Sequence, residues 1–188
     1  GTLSTAQLQA ISTKDIAALS TSQVGGLSTT VLGNLTTAQL KAIETKDIAA
    51  MSTTQLGALT TAQVGALATA QVAAMSGAQV DSLGGKLGTA QIASLSTKQI
   101  AGVSTTTMAA LSTAQLAAIS TKDIAALTTT QLGAVATADL AALTTTQITA
   151  MTTAQVGALA AKMSTAQIGA LTAAQAAGLS TTVVGTLS

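Results

Sequence analysis

The side chains able to carry a charge or a proton are few, and most recur at one place. Asp15, Asp47 and Asp123 each follow a lysine (Lys14, Lys46 and Lys122), Asp139 stands alone, and Glu44 with Asp47 makes the only local pair of acids. A Lys-Asp pair suits docking of a charged partner or part of a cation site, but calcium needs about six oxygen ligands. Glu44 and Asp47 are too little for acid–base work without a shaped pocket. The chain has no His, Cys, Trp, Tyr, Phe or Pro, so thiol, imidazole and phenol chemistry are excluded at the outset. No catalytic residue, metal ligand or cofactor is expected, and the protein is not read as an enzyme.

The acids make better sense as parts of a helix start. Asp15, Asp47, Asp123 and Asp139 occupy the fifth place of an eight-residue unit that recurs 22 times, seen plainly at Leu111 to Ala118. In that octad Ser112 is a favoured N-cap, and Gln115 stands three residues later, where its amide can return to the cap N–H. Leu111 before the cap and Leu116 after it are spaced as a hydrophobic staple. A carboxylate at the fifth place would lie in the first helical turn, against the positive helix end.

The plan holds along the array. The first residue is Leu, Ile, Val or Met in all 22 copies, and the sixth is equally aliphatic in 21, Ala176 being the exception. The second is Ser or Thr in 18, failing at Glu44, Ala68, Gly88 and Ala136, and the third is Thr in 20, failing at Gly77 and Ala173. The fifth is Gln or Asp in 19. Each octad predicts about six helical residues, roughly 9 Å of rise, and then a tight turn. One unbroken helix would wind its apolar stripe around the axis, and a β-solenoid would send the first and sixth residues to opposite sheet faces. The expected fold is therefore an all-α solenoid of short capped helices, a single body over residues 1–188. A helix this short is unstable alone, so stacking on neighbours has to hold it.

A longer period overlies the octad. Half units Leu83-Gly84-Gly85-Lys86 and Leu159-Ala160-Ala161-Lys162 lie 76 residues apart, and Ile43 to Ala50 matches Ile119 to Ala126 at the same spacing. The octads without a polar fifth residue carry Val31, Thr107 and Val183 there, again 76 apart. Half units are expected to reset the phase of the coil, and Val31, Thr107 and Val183 to mark a packing interface between coils or neighbouring molecules. Lys86 and Lys162 are expected to provide solubility or to contact C-terminal carbonyls.

Composition limits the partners. Charged residues make up 7% and the formal net charge is +1, so attraction to nucleic acid or anionic lipid is not indicated. Hydroxyls and Gln interrupt every apolar run, so no transmembrane segment is expected. Both ends break off within the repeat and no signal peptide is visible, so the natural protein is expected to be longer.

The text Leu-Thr-Thr-Ala-Gln-Val-Gly-Ala-Leu at Leu59 to Leu67, repeated after its first residue at Met151 to Leu159, resembles long octapeptide arrays of very large bacterial secreted or surface proteins. Such proteins are labelled adhesin-like or haem-utilisation proteins. The resemblance covers essentially the whole chain and brings no catalytic residue. It implies an extracellular or cell-surface structural role, the shaft of a fibre or giant adhesin that associates with itself and with the cell surface or biofilm matrix. The haem label finds no His, Cys or Tyr to serve as axial ligand. The alternative is a binding surface along the Thr column, for ice or for a matrix or host ligand.

Overall fold

The computed structural model describes residues 4–180 and residue 185, and the chain divides into two compact units, Gly1–Leu95 and Ser96–Ser188. The described residues form 21 short α-helices, each of four to seven residues, with 3-10 turns at Gly84–Lys86 and Ala160–Lys162. No strand occurs among the described residues. None of the described helices is long and apolar enough to cross a membrane.

Most helices begin where the octad supplies a side-chain cap; those after Glu44, Ala68, Gly88 and Ala136 begin without one. Ser112 has extended backbone (φ −72°, ψ 162°). Its N–H donates to Gln115 Oε1 at 2.7 Å, and Gln115 N–H donates to Ser112 Oγ at 3.3 Å. Both halves of the capping box are made. Ala68 and Gly88 lack the hydroxyl, yet their N–H groups still donate at 2.8 Å to Gln71 and Gln91. The glutamine half of the box survives without the serine half.

Among the described residues most first- and sixth-place aliphatics are buried, while Ala176 is exposed, and the coil closes after three octads. In the first unit Thr21–Gly25 stacks with Thr45–Ala50, and Thr37–Ala42 with Thr61–Ala66. In the second, Thr97–Ala101 stacks with Thr121–Ala126, and Thr129–Gly133 with Thr153–Leu159. Each unit is thus a solenoid with three sides to the coil and a corner at each octad junction. The core is a thin aliphatic column: Leu40, Ile48, Leu56 and Val64 from sixth places have no exposed surface, and Ile43, Met51 and Leu59 from first places are at most 2% exposed. The chain has no aromatic residue, so Leu, Ile, Val and Met fill this column without large rings.

The half unit behaves differently from the phase reset expected of it. Gly84–Lys86 stacks against Thr61–Ala66, and the next helix, Thr89–Ala93, stacks on Thr69–Ala73. Four residues therefore take one whole side of the coil, and the three-sided stacking continues past them. The same holds in the second unit, where Thr165–Gly169 stacks on Thr145–Ala150 across the second half unit.

Candidate functional site

The corner is where the polar side chains of the repeat converge, and the fifth-place glutamine is its centre. Gln63 is 3% exposed. Its Oε1 accepts from Thr60 N–H at 2.9 Å, which closes its own helix start. Its Nε2 donates to Leu32 and Leu35 carbonyls at 2.8 Å, with Gly33 O at 3.3 Å. Those carbonyls belong to the corner directly beneath, where one helix ends and the next octad begins. One side chain therefore caps its own helix and satisfies orphan carbonyls at the end of another.

This bond recurs with fixed offsets. Gln39 donates to Leu8 O and Ile11 O, and Gln55 to Val24 O and Leu27 O, at 31 and 28 residues back in sequence. In the second unit Gln147 reaches Leu116 and Ile119, and Gln155 reaches Ile124 and Leu127, at the same offsets. Where a half unit intervenes the offsets shorten to 27 and 24, as for Gln91 on Val64 and Leu67, and Gln167 on Leu140 and Leu143. The shortening by four residues is the half unit counted as one side.

The half-unit lysines take the glutamine's place. Lys86 Nζ donates to Gly57 O at 2.9 Å and Leu59 O at 2.8 Å. Lys162 Nζ donates to Gly133 O at 2.9 Å. The carbonyl contact expected of these lysines is present, and it crosses to the side beneath. The ladder of donors is not legible within one octad, where the glutamine serves only the cap.

The aspartates lie in the first turns of their helices, as the sequence places them. They differ from glutamine in lacking an amide N–H to donate. Asp47, 1% exposed, accepts from Thr21 Oγ1 at 2.5 Å. Asp123, 4% exposed, accepts from Thr97 Oγ1 at 2.9 Å and from Ser120 Oγ at 2.6 Å. Asp15 is exposed and accepts from Ser12 Oγ at 2.7 Å, and Asp139 is half-buried. At these corners the contact to the side beneath, where made, is a threonine hydroxyl donating upward in place of an amide donating downward. Glu44 is paired with Lys46 on the surface. The hydrogen bond that Lys46 Nζ donates to Glu44, then the charge of that carboxylate, hold the Lys46 ammonium above the ordinary lysine value. Among the described residues no three His, Cys, Asp or Glu side chains gather as a metal site would require.

Of the residues marked by the 76-residue period, Val31 is half-buried and lines an apolar recess of about 310 Å³ with Leu8, Ile11, Ile16 and Leu27. Thr107 is 9% exposed. Val183 lies outside the described residues. A second recess, of about 530 Å³, is a surface groove edged by Lys41, Glu44, Lys46 and Gln71. Among the described residues the outer surface is carried mainly by the second to fourth residues of the octads, with many of the seventh and eighth. Its third-place threonines are exposed throughout the described residues except Thr97, which is half-buried against Asp123.

Comparison with known proteins gives one finding of descent. The model of a family described as the ALTTAQ repeat matches residues 1–29, 40–77, 105–137 and 134–162. No curated protein matches the chain.

Proposed function

The chain belongs to the ALTTAQ repeat family, and from that premise we propose that it is a structural repeat region: the shaft of a bacterial extracellular fibre or giant adhesin, self-associating by lateral or end-to-end packing. The observation that carries this reading is the corner bond. A coil joined to the next by the same glutamine-to-carbonyl contact at level after level lengthens simply by adding repeats, which is what a spacer or shaft needs. The exposed octad positions support it too, being mostly Ser, Thr, Ala and Gly with few charges, so little repulsion opposes side-by-side packing. The polar groups of the corners are spent on holding coils together, which leaves the surface rather than a pocket as the working part. Its partners are then other copies of itself and the cell surface or biofilm matrix, outside the cell.

Electron microscopy of purified protein tests this. Filaments with a regular axial repeat support the shaft reading, and particles that stay short and monodisperse at high concentration contradict it. The exposed third-place threonines favour a second reading, a hydroxyl and methyl surface that binds ice or a matrix ligand. Absence of both thermal hysteresis and ice-recrystallisation inhibition discards its ice-binding form.

A further inference from the structure

The octad at 135–142 in the second unit lacks both polar parts of the repeat. Ala136 stands where the cap hydroxyl belongs and Asp139 where the glutamine belongs, so the helix Thr137–Leu140 starts without a side-chain cap. Its neighbours show what the register asks of the fifth place. Gln131 on the side before donates to Ile100 O and Val103 O, and Gln147 on the side after to Leu116 O and Ile119 O, each 31 and 28 residues back. The same offsets set Asp139 over Met108 O and Leu111 O, at the corner where Thr105–Ala109 gives way to Thr113–Ala117, the helix on which Thr137–Leu140 stacks. Among the described residues no side chain donates to either carbonyl. Asp139 is half-buried, and among the described residues its carboxylate has no hydrogen-bond donor and no ion pair. Asp47 and Asp123 differ, since each accepts from a threonine hydroxyl of the side beneath. Lys162, the lysine of the second half unit, is taken up by Gly133 O.

A carboxylate set over carbonyls brings oxygen to oxygen, and positive charge between them turns repulsion into attraction. We propose that this corner binds one alkali metal cation, sodium or potassium, between the Asp139 carboxylate and the Met108 and Leu111 carbonyls, where the neighbouring corners hold an amide nitrogen. One carboxylate balances one positive charge. Carbonyl oxygens suit a hard monovalent ion, and the partial exposure of Asp139 lets water complete its shell. Calcium fits less well, because it takes about six to eight oxygens and draws most of its affinity from several carboxylates. The inference goes beyond the shaft reading by giving that body a ligand, and it does not require self-association.

Thermal unfolding of the full 188-residue chain, followed by circular dichroism in sodium, potassium and tetramethylammonium chlorides at equal ionic strength, tests it. Tetramethylammonium is too bulky to sit on the carbonyls. The midpoint should therefore be about 3 °C higher in at least one alkali salt, and the more effective salt names the ion. Asp139→Gln installs the residue of the neighbouring corners, so it should fold as they do and melt at the same temperature in all three salts. Asp15→Asn, at an exposed aspartate of the first unit, should keep the alkali dependence. Equal midpoints of the unmodified protein in the three salts overturn the proposal, and that comparison needs no variant to fold. An alkali dependence that survives Asp139→Gln overturns it as well, since the ion would then act elsewhere. A lack of filaments by microscopy would sink the shaft reading and leave this salt dependence as it is.

Discussion

The two half units, 76 residues apart and one in each unit, are built by different means. At Leu83–Lys86 the preceding helix ends at Ser82, the chain turns through Gly84 in the left-handed region, and Lys86 reaches two carbonyls. At Leu159–Lys162 the helix Thr153–Leu159 runs straight on into the 3-10 turn, Ala160 is right-handed (φ −53°) and 1% exposed, and Lys162 reaches one carbonyl, that of the exposed Gly133. What is constant is a buried leucine at the start and a lysine ammonium on the side beneath. Two intervening residues choose the backbone: glycines permit the left-handed turn, and alanines, which avoid it, prolong the helix. A coil side can therefore be closed in four residues provided that something at its end donates to the carbonyls below. Donation, rather than helix length, is what the coil requires.

That comparison can be broken at an ordinary corner. Gln63→Glu keeps the shape and the capping oxygen, removes the donor, and sets a carboxylate against the Leu32 and Leu35 carbonyls. It should cost about 3 kcal/mol, more than either half-unit lysine, because the second carboxylate oxygen is left buried against carbonyls with no donor. Urea unfolding at neutral pH measures it. A loss near zero would mean that capping alone explains the glutamine.

The lysines sharpen the contrast. Lys86→Met should cost about 2 kcal/mol, and Lys162→Met less than about 1, since one loses two partly buried charged bonds and the other a single exposed one. Comparable losses in paired urea titrations would show the two ends to be interchangeable. Smaller again are the backbone changes. Gly84→Ala should cost about 1 kcal/mol from the left-handed backbone alone, as nothing lies within 4 Å of an added Cβ. Ala160→Gly should cost about 1 kcal/mol through lost helix propensity, and double-glycine or double-alanine swaps between the half units can be followed by circular dichroism.

The least effect is expected on the surface at Glu44 and Lys46. Lys46 has its ammonium value raised in the folded chain above 10.5. A raised folded value means that the pair's contribution is complete below the unfolded value and is lost as pH rises through the folded one. Thermal midpoints should therefore fall slightly more above about pH 10.5 in the unmodified protein than in Glu44→Gln. Both groups are largely exposed, so the difference is expected to be close to the detection limit.

Helix starts, inward faces and the all-helical solenoid were legible because capping and staple residues are local: Ser112, Gln115, Leu111 and Leu116 act within one octad. The coil was less legible, since nothing local says that three octads close a turn. One signal was present in the fifth column. Glutamate serves a capping box as well as glutamine does, yet the fifth place carries Gln in 15 octads and Glu in none. The preference for the amide over the longer acid marks a donor at work, and its acceptors lie 28 and 31 residues back. The role of Lys86 was hidden for the same reason, its partners Gly57 and Leu59 being invisible without the coil. Of the residues that the long period marks, Val31 lines a recess and Thr107 is buried.

The glutamine ladder is tested most directly by side-chain amide exchange in nuclear magnetic resonance, with the Gln Nε2 protons assigned. The account predicts that Gln39, Gln55 and Gln63, each at most 6% exposed, hold their side-chain protons as long as nearby backbone amides do, while exposed Gln7 exchanges at the rate of a free amide. Uniformly fast exchange at all of these glutamines would contradict it.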